Sequence, residues 1–148
     1  MAKGKVSPEL IEQFKQIVGE KYVYTDKDKL EPYSHDEVTD PHYMKEPQVV
    51  VLPATTEEVS KVVKLCYEND TVMVPRAAGT GLAAGAVATF GGVIISIERM
   101  NKILEIDKDN MVCVSEAGVT TSVLQDAVQK EGLFYGGDPC SGDSCFIG

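Results

Sequence analysis

Tryptophan is absent from this chain, and histidine occurs only twice, at His35 and His42. Both histidines fall in a polar, proline-dotted stretch, so a centre built on imidazole has almost nothing to draw on. No residue is assigned a catalytic or metal-binding role. Cysteines are few: Cys66, Cys113, Cys140 and Cys145, with no C-x-x-C pair. Free thiols are expected, Cys66 in a helical pattern and Cys113 in a strand pattern, while Cys140 and Cys145 flank a loop. Basic residues are in short supply, 14 Lys and Arg against 23 Asp and Glu, giving a net charge of -9. An acidic surface lacks the attraction that nucleic acid or an anionic membrane requires, so neither is expected as a partner. Apolar runs stop well short of the ~20 residues that cross a bilayer. The start, Met1-Ala2-Lys3-Gly4-Lys5, leads into a polar amphipathic stretch rather than an apolar signal core. A cytoplasmic protein is expected.

What is present organises readily. With 148 residues, 43% of them hydrophobic, the chain is long enough for about one domain with a real core. Ser7 and Pro8 suit the start of a helix that carries Leu10, Ile11, Phe14, Ile17 and Val18 on one face and ends at Gly19. Residues 22–24 read as a short strand. The stretch from Thr25 to Pro47, with Pro32, Pro41 and Pro47, reads as a loop-rich connection. Gln48 to Leu52 is a buried strand. Thr55 and Glu58 form a capping box for a helix with Val59, Val62, Val63, Cys66 and Tyr67 in one stripe. Thr71 to Val74 is the next strand, and together these make a parallel βαβ unit. Gly92 to Ile97 is a further strand. Ile103–Asp107 and Met111–Val114 alternate around a turn and form an antiparallel hairpin. Thr120 caps a last helix over 121–130, ended by Gly132. The fold class is α+β.

Between Val74 and Gly92 lie seventeen residues, small and apolar, with Arg76 as their single charge. Small residues matter where a ligand must lie against the backbone, and successive amides can cradle a phosphate oxygen. Arg76 can add a charged donor and Thr80 a hydroxyl. Gly79-Thr80-Gly81-Leu82-Ala83-Ala84 also fits the Rossmann fingerprint G-x-G-x-x-[G/A], and Glu98 lies about 20 residues on. The spacing excludes that fold, because only Leu82 to Phe90 precede Gly91-Gly92 and the next strand. From the residues alone, the loop is either a diphosphate cradle or a glycine-rich structural loop packed under the sheet.

Several ordered motifs then resemble one family. Val74-Pro75-Arg76-Ala77-Ala78-Gly79-Thr80-Gly81-Leu82-Ala83-Ala84-Gly85 resembles the P-R-G-x-G-T-G-L-x-G-G loop of FAD-linked oxidases of the vanillyl-alcohol oxidase/p-cresol methylhydroxylase (PCMH) type. Within it, the resemblance is nearest to the glycolate oxidase and D-lactate dehydrogenase branch. Pro47 to Val59 is similar to that family's opening strand-turn-helix. Gly92 to Ile103 is similar to its G-G-V-x-x-S-x-x-R-M-N-x-I strand, and Glu116-Ala117-Gly118-Val119 to its E-x-G-V turn. Asp138 to Gly148 resembles its second FAD loop, D-P-x-S-x-x-x-x-x-I-G, which in the family runs on into G-N.

The resemblance implies a non-Rossmann PCMH-type FAD fold, with a small parallel βαβ subdomain followed by part of an antiparallel sheet subdomain. Residues 1–46 would form an N-terminal helical and loop segment. Residues 47–148 would form the FAD-binding domain, incomplete at its C-terminus. Pro75, Arg76, Ala77, Ala78, Gly79, Thr80, Gly81, Leu82 and Ala83 would hold the diphosphate. Asp138, Pro139, Ser141, Ser144, Cys145 and Gly148 would line the flavin and ribityl side. Noncovalent FAD is expected, since no histidine matches a site of covalent attachment. Ala77 and Ala84 stand where the family's loop has glycine, which a negative φ accommodates. Gly136-Gly137 replaces the usual pair of prolines and leaves that turn looser. Tyr33 and Asp36, in Tyr33-Ser34-His35-Asp36, match a recurring family segment with a structural role.

The implied activity is that of a flavin-dependent 2-hydroxy-acid dehydrogenase for D-lactate or glycolate. Electrons would pass to an iron–sulfur protein or an electron-transfer flavoprotein. The substrate groups would belong to a later cap domain. The alternative is a stand-alone nucleotide-binding or assembly module without redox turnover. The end at Gly148, in mid-loop, suggests a truncated chain. On that expectation the chain alone holds FAD weakly, is inactive, and leaves a sheet edge that favours a homodimer.

Overall fold

A computed structural model describes residues 5–148. The polar start over residues 1–4 lies outside the described residues. Helix α1 (Pro8–Val18) begins as its sequence dictates, with the Ser7 hydroxyl accepting from the Leu10 amide at 3.2 Å. It buries Leu10, Phe14 and Val18 and stops at Gly19, whose φ of 91° is cheap only for glycine. Strand β1 (Val23–Tyr24) follows. The connection expected to be irregular carries the one-turn helix α2 (Lys27–Leu30) and short 3-10 turns at Glu31–Tyr33 and Pro41–Tyr43. Prolines open both 3-10 turns, and the Asp40 carboxylate caps the second by accepting from the His42 amide. The prolines therefore start helical turns here rather than only interrupting them.

Strand β2 (Val49–Val51) leads through the Thr55 cap into α3 (Thr56–Glu68). The capping box is shifted by one residue. Thr55 accepts from the Glu58 amide at 3.2 Å, while the Glu58 carboxylate accepts from the Ala54 amide at 2.7 Å. Of the expected stripe, Val62 and Cys66 are buried and Tyr67 is exposed. Strands β3 (Met73–Arg76) and β4 (Val93–Ser96) complete a four-stranded sheet of order β1-β2-β4-β3.

β2 and β3 are parallel, as expected, but they do not touch: β4 lies between them and pairs with both. Composition explains the insertion. β4 is apolar except for Ser96 and buried throughout, which suits a strand covered on both faces. β3 contains Pro75, which cannot donate to a ladder and belongs at an edge. Gly92 admits β4 to this place, because its φ is 94° and a Cβ there would strike the Val72 carbonyl.

Side chains alternate across the sheet. Val49, Val51, Val93 and Ile95 pack with Leu10, Phe14, Val62 and Cys66 of α1 and α3. Val50 and Ile94 face the other way, onto Leu30, Leu52 and Ala88. The expected hairpin is present as β5 (Ile103–Asp107) and β6 (Val112–Ser115), antiparallel, with an irregularity between Ile103 and Glu105. Helix α4 (Thr121–Lys130) lays Leu124 and Val128 against it, with Val119. No described helix is long and apolar enough to cross a membrane.

Candidate functional site

Adjacent parallel strands need a crossover, and a helix normally supplies it, satisfying its amides internally. Between β3 and β4 the crossover is the small-residue loop, and it contains no helix. Its amides are consequently free. Among the described residues, none of the ten consecutive amides from Ala77 to Ala86 donates a hydrogen bond to another protein group. Added Cβ atoms at Gly81 and Gly85 would meet nothing within 4 Å, so the backbone is open to close approach. Unpaired donors on an unobstructed backbone are what a diphosphate requires, and the residues present fit that group.

Arg76 does not stand on the loop as an outward donor. It is buried at 7% exposure. Its guanidinium donates to the carbonyls of His35 at 2.8 Å, Pro32 at 3.1 Å and Ala86 at 3.2 Å. It also lies 5.5 Å from the centre of the Tyr33 ring. Burial presses against its charge, while Tyr33, Asp36 and Glu98 nearby favour it. Arg76 thus ties both ends of the loop to the segment 32–35, and Gly79 arches over the guanidinium where a side chain would collide with it. The loop tip is held once more, by the Glu37 amide donating to the Gly81 carbonyl at 3.0 Å. Leu82, by contrast, is 76% exposed.

Ala77 has a negative φ, but Ala84 does not: its φ is 55°, in the left-handed region. The expectation that alanine fits there without strain fails at Ala84, because the chain must turn back toward β4 and the Val87 amide donates to the Ala84 carbonyl.

The second loop is a tight coil tied to α4. Ser141 accepts through its carbonyl from the amides of Ser144 at 2.8 Å and Cys145 at 2.7 Å. The first amides of α4, at Thr121 and Ser122, donate to the carbonyls of Cys145 and Gly142. These carbonyls take the place of a Thr120 side-chain cap, which makes no hydrogen bond. Phe146 bridges to Thr120, and the amides of Ile147 and Gly148 reach the carbonyls of Val119 and Ala117. The Cys145 sulfur sits 3.1 Å from the Thr121 hydroxyl, half-buried, while Cys140 is exposed.

The two loops meet across a cleft of about 300 Å³. Arg76, Ala77 and Ala78 line it from the first loop and Ser144 and Phe146 from the second, together with Pro32, Tyr33, Ser96 and Glu98. Asp138 lies apart, in a separate hollow beside Gln125, Gln129 and Phe134. Pro75 and Pro139 are exposed outside the cleft, and Thr80 to Ala83 form the open tip of the first loop. Glu98 and the hydroxyl of Tyr33 are site groups that sequence reasoning misses. The only sequence signal for Glu98 is its distance from the glycine loop, and that distance has meaning only within the Rossmann fingerprint that the spacing excludes.

A family model described as an FAD binding domain matches residues 47–148. The chain is 44% identical over 137 residues to D-lactate dehydrogenase of Anaerostipes hadrus, covering 92% of this chain and 28% of that protein. It is 39% identical over 109 residues to glycolate oxidase subunit GlcD of Bacillus subtilis (strain 168), covering 74% of this chain and 23% of the relative. Among solved structures, p-cresol methylhydroxylase with substrate bound superposes at a TM-score of 0.73, with 28% identity, covering 83% of this chain and 24% of that one. The chain therefore spans less than a third of the length of the proteins it resembles. The match runs from β2 through the end of the second loop, and the chain belongs to the FAD binding domain family of FAD-linked oxidoreductases, with a PCMH-type fold.

Proposed function

We propose that the chain is the FAD-cradling part of a flavin-dependent 2-hydroxy-acid dehydrogenase of the D-lactate or glycolate class, with FAD held noncovalently. The observation that carries this reading is the run of undonated amides from Ala77 to Ala86, whose first two residues line a cleft shared with Ser144 and Phe146 of the second loop. The names of the relatives, D-lactate dehydrogenase and glycolate oxidase subunit GlcD, support the substrate class.

In this reading the first loop binds the diphosphate through its backbone, and Arg76 fixes the loop's shape from beneath. Fixed amide dipoles need no rearrangement when an anion arrives, so affinity comes from geometry set in advance. The second loop borders the flavin and ribityl side from Ser144, which lines the cleft, with Ser141, Cys145 and Gly148 in the same coil, whereas Asp138 and Pro139 lie outside the cleft. FAD, when bound, would supply the hydride-accepting redox chemistry, and the residues of the two loops would hold and orient it. Substrate binding belongs to other parts of the whole protein, and electrons leave to an iron–sulfur protein or an electron-transfer flavoprotein.

Titration of FAD into the isotopically labelled protein, followed by amide NMR, tests the cradle even at millimolar affinity. The amides of residues 77–86 should shift together and saturate. Their silence, while other amides respond, would place FAD elsewhere and sink the reading.

A further inference from the structure

Glu98 follows β4 and stands in the cleft beside Ala77 and Ala78 of the first loop. One of its carboxylate oxygens, Oε1, accepts from the Tyr33 hydroxyl at 2.5 Å and from the Ser96 hydroxyl at 2.9 Å. Burial and the neighbouring Glu98 carboxylate push the Tyr33 phenol well above its ordinary value, so Tyr33 remains the donor of this pair. The orientation of the carboxylate is thereby set by partners from two separate elements. Among the described residues its other oxygen, Oε2, accepts from no protein group, and it is not among the buried polar atoms left without a partner. It is an oriented, solvent-reachable oxygen in the cleft.

An ionised carboxylate only accepts hydrogen bonds, and it repels phosphate. A carboxylate beside an amide-rich anion loop therefore suits a different part of the same ligand, one rich in hydroxyl donors. We propose that Glu98 Oε2 accepts a hydrogen bond from a sugar hydroxyl of the cofactor, on the ribose or the ribityl chain that flanks the diphosphate. This rests on the diphosphate reading of the first loop. The Tyr33–Glu98–Ser96 trio is a positioning device, and Glu98 is the group that would touch ligand.

The test uses the 148-residue protein and its Glu98→Gln variant, with FAD, ADP, FMN and pyrophosphate followed by amide NMR. Glutamine keeps an oxygen for Tyr33 and Ser96 but turns a neutral donor toward the cleft. FAD should bind the variant roughly tenfold more weakly, the effect of losing one charge-assisted hydrogen bond. Pyrophosphate, which reaches only the loop amides, should bind the variant at least as well as the parent, since a repelling charge is removed. A loss for ADP identifies the ribose as the source, and a loss for FMN identifies the ribityl chain. Unchanged FAD affinity overturns the inference, as does a pyrophosphate loss equal to that for FAD, which would mean that Glu98 acts only through the loop's shape. If FAD shifts none of the amides 77–86 in the unmodified protein, the diphosphate reading fails and this inference fails with it.

Discussion

Ala84 occupies a conformation that costs an L side chain about 1–2 kcal/mol, because its Cβ approaches the following carbonyl. Replacing it with glycine removes that cost and adds back some unfolded-chain entropy, roughly 0.4–1 kcal/mol. Ala84→Gly should therefore stabilise the protein by about 0.5–1 kcal/mol, seen as a higher thermal midpoint; a lower midpoint would contradict the left-handed assignment. Arg76 illustrates the opposite case, a side chain whose value lies in its shape. Its fork reaches three carbonyls from two segments. A lysine keeps the charge but presents a single point donor. Arg76→Lys should cost about 2 kcal/mol in urea unfolding, since carbonyls buried beneath the loop lose their partners. A variant as stable as the parent would show that charge alone suffices there.

Among the secondary-structure elements, α3 offers a clean thiol test. Cys66 is fully buried on its inner face, and burial pushes its thiol up from an ordinary 9.0 to about 11. A folded value above the unfolded one means that the protonated thiol contributes stability in full below about pH 9, and that this is lost as the pH rises toward 11. At about pH 8, below both values, Ellman's reagent should label exposed Cys140 first and Cys66 only after unfolding. Early labelling of Cys66 would mean that α3 opens locally.

Elements with local signals are legible from sequence: α1 from Ser7 and Pro8, α3 from Thr55 and Glu58, and the β5–β6 hairpin from its alternation. The position of β4 is not, because its partners, Val49 and Met73 at Val93 alone, are far away in sequence. The same limit hides the true cap of α4, two carbonyls from the second loop, and the inward turn of Arg76. The free amides of the first loop are legible, because small residues in a long crossover leave no helix to satisfy them. The cleft beside it is not, because Tyr33 and Glu98 meet across 65 residues of chain.

For the molecule as a whole, the net charge of -9 is compatible with the proposed anion site on the amides of residues 77–86, because the two act over different ranges. The global field is screened beyond roughly 8–10 Å, whereas amide dipoles act at contact. An acidic protein can thus bind a diphosphate without a basic surface. One consequence of the strand order concerns how the molecule is born. During synthesis β2, α3 and β3 all emerge before β4, yet β2 and β3 share no ladder, and only β4 joins them. The arrival of this four-residue strand joins the halves of the sheet, anchors both ends of the amide loop and carries Glu98 to Tyr33. Completion of the sheet and placement of the loop beside Glu98 therefore depend on the same non-local pairing, of the kind that slows folding. A nascent chain stalled before Gly92 would have the loop's sequence without the strand that gives it shape.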